Sequence, residues 1–259
     1  MAIKIPRGLV IFTDLDGTLL DHESYDFAPA RPMLARLAMA GVPVVLASSK
    51  TAAEIALWQE RMGLTGWPAI VENGAGISAG TDDPDAGEQP TYPRLCRAIA
   101  AARVPFRGFA TMTDADLAAL TGLPLGEARL ARQRAWSEPG LWQGDAAGLA
   151  AFLAKMAAEG ITARRGGRFL TLSYGGTKAA RMAELAERLN ARLTVALGDA
   201  PNDAEMIAAA SRGIVVKNDH GPGLPPLPGE STGRILRSRT AGPTGWAEAL
   251  DTLLSGLAG

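Results

Sequence analysis

Apolar residues recur along this chain in two rhythms. Leu9-Val10-Ile11-Phe12, Val42-Pro43-Val44-Val45-Leu46-Ala47, Ala69-Ile70-Val71, Leu193-Thr194-Val195-Ala196-Leu197 and Ile214-Val215-Val216 are short, nearly unbroken runs. Runs of that length predict strands buried on both faces. Between them, apolar residues return at helical spacing. Met33, Leu34 and Leu37 mark a helix over Ala30 to Ala40. Thr51-x-x-Glu54 has the form of a capping box, opening a helix that runs to about Met62 and stops at Gly63. Lys178 opens another, reaching Asn190; Ile207 lies in a further helix, and a last one runs from about Trp246 to Leu257. Strands alternating with helices predict an α/β protein with a doubly wound parallel, Rossmann-like sheet.

The alternation fails from about residue 85 to 171. That stretch predicts a helix over Asp114 to Leu120, opened by Thr113-x-x-Asp116, and a second helix to about Arg134 after the break at Gly122 and Pro124. It continues with a helix over Ala150 to Glu159 and a hairpin or two strands in 161–172 around Gly166-Gly167. We read this as an inserted α+β cap, so that residues 1–84 and 172–259 form one core and 85–171 a second domain. Thr81 to Pro90, with three Asp, two Pro, a Gly and a Glu, reads as the hinge. Asn218 to Gly233, with four Pro and four Gly, reads as an irregular loop.

Length and composition fit that picture: 259 residues, 47% of them hydrophobic, are enough for a core with an insertion. The formal net charge of −1 gives no reason to expect nucleic acid or a membrane as partner. The one cysteine, Cys96, rules out an internal disulfide and suits a reducing compartment. No apolar run reaches spanning length and Met1 to Arg7 lacks the apolar core of a leader, so a cytoplasmic protein is expected. Oligomeric state is not legible.

Polar residues at the carboxyl ends of the predicted strands carry the chemistry. Asp14 and Asp16 stand two positions apart and leave the first strand on one side; Gly17 then lets the chain turn. Two close carboxylates repel, and a hard cation such as Mg²⁺, with its preference for oxygen ligands, relieves that repulsion. Ser48, with Ser49 and Lys50, lies between the second strand and its helix, where a hydroxyl, free N–H groups and a cation hold a phosphate oxygen; taken alone, ordinary capping is the better explanation of these residues. Asn73-Gly74 faces the site or simply turns the chain. Gly198-Asp199-Ala200-Pro201-Asn202-Asp203 ends a later strand, and Lys178 brings a cation at a helix start. In a doubly wound sheet these ends gather at one edge.

The order D-x-D-G-T, Ser, Lys, G-D-x-x-N-D resembles the four motifs of the haloacid dehalogenase superfamily of phosphatases. Ser49-Lys50-Thr51, Val71-Glu72-Asn73-Gly74, Leu120-Thr121-Gly122-Leu123 and the segment Arg134-Ala135-Trp136-Ser137-Glu138-Pro139 are similar to those of its mannosyl-3-phosphoglycerate phosphatase family. The resemblance covers nearly the whole chain. It implies a Mg²⁺-dependent phosphatase acting on a small phosphorylated sugar-glycerate. Asp14 would be the nucleophile and Asp16 the acid and base. Ser48 and Lys178 would balance phosphoryl charge. Asp14, Asp16 (by its carbonyl) and Asp199 would hold the metal, with Asn202 and Asp203 beside it. Ser49, Lys50, Asn73, Arg134, Ser137, Glu138 and Arg168 would contact substrate. The chain departs from the family in having Thr171 where a His is expected in the last cap strand, and in lacking an Asp before Lys178. A glucosyl-3-phosphoglycerate or a general sugar phosphate is the alternative substrate; a phosphomutase or a receiver-like signalling domain is a rival class.

Overall fold

A computed structural model describes residues 5–82, 85, 87–166, 168–221 and 223–257. Met1 to Lys4, Pro84 at the expected domain edge and Gly167 of the expected Gly-Gly turn lie outside the described residues. The chain begins with β1 (Leu9–Thr13), α1 (Arg31–Met39), β2 (Val44–Leu46), α2 (Ala52–Met62), β3 (Ala69–Val71) and β4 (Gly76–Ser78). It continues with α3 (Tyr92–Ala102), β5 (Phe106–Gly108), α4 (Asp114–Thr121), α5 (Leu125–Ala131), β6 (Ser137–Trp142), α6 (Ala146–Ala158), β7 (Thr162–Gly166) and β8 (Phe169–Ser173). It closes with α7 (Lys178–Arg188), β9 (Leu193–Gly198), α8 (Ala204–Ala209), β10 (Arg212–Lys217), β11 (Ile235–Ala241) and α9 (Gly242–Leu257).

The five strands β11-β10-β9-β1-β2 form a wholly parallel sheet. Alternate residues of β1 serve its two faces: Leu9 and Ile11 pack with α1 and α9, while Val10 and Phe12 pack with α7 and α8. Each fully buried Leu, Ile or Phe of this kind contributes about 1.5–3 kcal/mol. Trp246 of α9 is fully buried, and its indole N–H donates to Thr13 Oγ1 at 3.0 Å, tying the last helix to the end of the first strand. Both capping boxes form as the sequence predicts, at Thr51/Glu54 and Thr113/Asp116.

The second layer is the antiparallel sheet β5-β6-β8-β7, with α3 and α6 on one face. Of its strands only the β7–β8 hairpin is predicted by the sequence pattern. β6 is interior, yet it contains Pro139 and Gly140, which interrupt any strand signal; Pro139 stands opposite Thr171 without an N–H to give. The sequence reading assigns no element to α3, which starts at Tyr92-Pro93 just after the stretch read as the hinge, or to β11, whose polar Arg237 and Arg239 lie at the sheet edge. β3 does not join the parallel sheet as a full strand. It pairs antiparallel with β4 and meets Ala47 through one bridge.

The two layers meet along a short seam. Thr51 Oγ1, at the start of α2, donates to the carbonyl of Leu130 in α5 at 3.0 Å. Glu72, buried after β3, accepts from three successive N–H groups, Ala135 (2.7 Å), Trp136 (3.2 Å) and Ser137 (2.6 Å), where β6 begins. Gly76 lies so near the Trp136 indole that a Cβ would come within 2.2 Å of it.

Candidate active site

β1 delivers Asp14 to the carboxyl edge of the parallel sheet, where its N–H donates to Leu197 of β9 at 2.9 Å. Gly17 follows with φ +80°, and a side chain there would run into the Asp199 carboxylate at 2.9 Å. The turn therefore needs glycine for its backbone and for its neighbour.

Lys178, the first residue of α7, is buried between two carboxylates: Nζ lies 2.6 Å from Asp14 Oδ1 and 2.7 Å from Asp203 Oδ1. The second oxygen of Asp203 accepts from the N–H groups of Asp199 (3.2 Å) and Ala200 (3.1 Å). Asp203 is thus fully committed and fixes the ammonium against Asp14. Asp199 accepts from Thr18 Oγ1 at 2.6 Å and from Asn218 Nδ2 at 2.7 Å. The other oxygen of Asp14 accepts no hydrogen bond among the described residues. One carboxylate oxygen from each of Asp14, Asp199 and Asp203 lies within 4.8 Å of the others.

Burial pushes the Asp14 carboxyl well above its ordinary range; the Lys178 ammonium pulls it back, and Asp203, Asp16 and Asp199 add to the upward push. Burial also raises Asp199, against the Thr18 hydrogen bond. For Lys178 burial works against the charged form, but Asp14 and Asp203 outweigh it and hold the ammonium above its usual value. Three buried carboxylates with one ammonium among them fit a hard divalent cation, and Asp14 with Asp199 offers the oxygen donors such an ion takes. The Asp16 carboxylate stands outside this cluster and pairs with Lys50 Nζ at 3.0 Å.

Ser48 is fully buried at the end of β2; its hydroxyl accepts from the Lys50 N–H at 3.2 Å. Ser49 is exposed, and its carbonyl lies 3.4 Å from Arg134 Nη1. Asn73, with φ 60°, accepts from the Asn202 amide at 3.0 Å. Asn202 is exposed there, and Asn218 is the amide that reaches Asp199. As the residue after β10, Asn218 sits at one more strand end, the signal by which it could be found though the sequence reading passed over it.

Three residues expected to contact substrate are committed elsewhere. Arg134 pairs with Glu72 at 3.3 Å and donates to Ser137 Oγ at 2.6 Å, with its side chain 7% exposed, because the buried Glu72 charge requires a cation. Ser137 in turn donates to Glu72 at 2.7 Å. Glu138 points to the opposite face of β6, as strand alternation dictates, and accepts there from Tyr92 Oη (2.6 Å) and the Ala110 N–H (2.8 Å). Arg168 is exposed beside the β7–β8 turn with its guanidinium 5.4 Å from the Phe169 ring. Glu72, Thr18, Asn218 and Tyr25 carry site contacts that the sequence reading gave no role.

A model of the haloacid dehalogenase-like hydrolase family matches residues 11–90 and 149–221, more than half of the chain. Solved structures match over nearly the full length. A haloacid dehalogenase-like hydrolase from Bacteroides thetaiotaomicron is 20% identical over 95% of this chain and 100% of its own, with a TM-score of 0.66. The sucrose-phosphatase of Synechocystis, solved with sucrose and phosphate, is 16% identical over 95% of this chain and 98% of its own, at 0.60. A subclass IIB sugar phosphatase of the superfamily is 15% identical over 94% and 98%, at 0.62. At these identities the structures establish the shared fold.

Proposed function

Since the chain belongs to the haloacid dehalogenase-like hydrolase family, we propose that it is a Mg²⁺-dependent phosphatase of phosphorylated sugars. The substrate we favour is a glycosyl-3-phosphoglycerate, mannosyl before glucosyl. The observation that carries the reading is Lys178 held by Asp203 against Asp14, with Asp16 two residues on and free of that cluster. We assign residues 85–171 as a cap over a core of 1–84 and 172–259. The lone free cysteine supports a cytoplasmic setting, and no helix among the described residues is long and apolar enough to cross a membrane.

An oxygen of Asp14 attacks phosphorus; the Asp14–phosphorus bond forms as the bond to the sugar-side oxygen breaks, and Asp16 gives that oxygen a proton. Water then attacks the aspartyl-phosphate, Asp16 takes its proton, and phosphate leaves with Asp14 restored. Lys178 and the Ser48 hydroxyl offset charge on the transferring oxygens. Asp14, Asp199 and the Asp16 carbonyl would hold Mg²⁺, which supplies further positive charge opposite the phosphoryl group. Thr18 and Asn218 orient Asp199, as outer partners of a metal ligand do.

Of the cations expected to meet a second substrate anion, Arg134 is bound by Glu72 and Lys50 by Asp16, while Arg168 is exposed at the hairpin. The commitment of Arg134 and Lys50 favours a plain sugar phosphate as the second reading. Phosphate release from mannosyl- and glucosyl-3-phosphoglycerate beside a set of hexose phosphates tests both. A preference for either glycerate ester is expected; a preference for hexose phosphates sinks the first reading in favour of the second.

A further inference from the structure

Tyr25 is a tyrosine in the left-handed region, φ 56°, in the loop after the D-x-D-G-T segment. A side chain there costs roughly 1–2 kcal/mol relative to ordinary backbone, and the loop is built to hold it. The Tyr25 N–H donates to the carbonyl of Asp21 (3.0 Å), the Asp21 N–H to that of Asp26 (2.9 Å), and Asp21 Oδ1 accepts from the N–H and the hydroxyl of Ser24 at 2.9 and 2.7 Å.

What this strained backbone achieves is the position of a ring. The Lys50 ammonium lies 5.4 Å from the centre of the Tyr25 ring and 3.0 Å from Asp16 Oδ1. Trp58 of α2 stacks on the same tyrosine, centres 6.4 Å apart and planes 19° apart, and the Arg61 guanidinium lies 4.8 Å over Trp58. Two stacked rings, Trp58 and Tyr25, therefore stand between two cations, Arg61 and Lys50, and Lys50 ends the row on the Asp16 carboxylate. The phenol hydroxyl makes no hydrogen bond among the described residues, so the face of the ring, not its polar end, is what the row uses. A lysine has four rotatable side-chain bonds, and the ring face adds to the Asp16 pairing a second contact that limits where the ammonium sits.

We propose that Tyr25 is a positioning residue: through its ring it fixes Lys50, and Lys50 aims the Asp16 carboxyl at the leaving oxygen. The inference rests on the phosphatase reading above. It concerns the step in which the leaving oxygen receives a proton, which an alkyl ester needs and a good aryl leaving group hardly does.

The test compares turnover of mannosyl-3-phosphoglycerate, or glucose 6-phosphate if that is the ester cleaved, with turnover of p-nitrophenyl phosphate. Tyr25→Leu should lower kcat on the alkyl ester about tenfold, within the range of a partly desolvated cation–π contact. The loss on p-nitrophenyl phosphate should be smaller by about fivefold or more. Tyr25→Phe keeps the ring and should restore the alkyl kcat to within about twofold of wild type. Tyr25→Gly relaxes the backbone, so its thermal midpoint should not fall, yet its alkyl turnover should drop like that of Tyr25→Leu. Equal losses on both esters, or a Tyr25→Phe protein as poor as Tyr25→Leu, overturn the proposal. Wild-type protein that cleaves neither ester overturns the phosphatase reading itself, a different and separately visible failure.

Discussion

The carboxyl edge of the parallel sheet and the antiparallel sheet use polar side chains in opposite ways. At the edge, partners come from far apart in the chain: Lys178 meets Asp14 across 164 positions and Thr18 meets Asp199 across 181. In the antiparallel layer most polar bonds are local, such as Arg107 to Asp116 nine positions on, or the Trp142 indole to Asp145 three positions on. The first pattern exists only when the whole core is assembled, and it encloses charge that folding alone would not favour. The second stabilises elements where they stand. Chemistry belongs to the first region and shape to the second, and each of the following changes tests that division.

The largest effect is expected at Asp14. Asp14→Asn should keep the fold by circular dichroism and lower phosphate release by at least about a thousandfold, since an amide is a poor nucleophile. Substantial turnover in a clean preparation would take the nucleophile's role from Asp14.

Removing Lys178 tests the enclosure of charge. Lys178→Met leaves Asp14 and Asp203 buried and uncompensated, and should cost about 3–5 kcal/mol in urea unfolding. The ammonium is held above its ordinary value of 10.5, so its contribution is complete below that pH and lost only as pH rises through the folded value. The deficit of the variant should therefore not shrink from about pH 6 to 10, and it grows where the Asp14 carboxyl, no longer pulled down by Lys178, gives up its proton. A deficit that shrinks within that window would contradict the pairing.

Asn218→Ala should raise the Mg²⁺ concentration for half-maximal activity by roughly 10–100-fold, as loss of an outer partner does. Chelation should abolish wild-type turnover and Mg²⁺ restore it. An unchanged Mg²⁺ requirement would separate Asn218 from the metal.

Glu138 marks the smallest effect and the sharpest contrast. Burial raises its carboxyl above the usual range against the Tyr92 and Ala110 hydrogen bonds. The folded protein therefore holds a proton that the unfolded chain releases, and stability falls as pH rises through that interval. Glu138→Gln should flatten this slope while leaving substrate selectivity alone. A shift in selectivity would return Glu138 to the substrate.

The contrast also explains what was legible in the sequence. Asp14, Asp16, Ser48, Lys178, Asp199 and Asp203 follow apolar strands or open a helix, so pattern and chemistry pointed to one edge. Ser137 and Glu138 were read together because they are adjacent, but β6 was hidden by Pro139 and Gly140, and without a strand there was no alternation to part them. Arg134 looked available because Glu72, 62 positions earlier by number, gave no sign of being buried beside it. Tyr25 had no periodicity to mark it; only a backbone angle does.

β1 is made first and stands between β2 and β9, with Leu9 opposite Leu193. At roughly 5–20 residues per second, a ribosome needs on the order of 10–40 s to supply that second neighbour. Until then Leu9-Val10-Ile11-Phe12 has one flank unpaired, and Asp14 has neither the Leu197 carbonyl nor the Lys178 ammonium that fix it. The carboxylate proposed as nucleophile follows β1 and is fixed only once α7 and β9 have joined it, so a chain cut short before β9 is a sticky fragment rather than a weak enzyme.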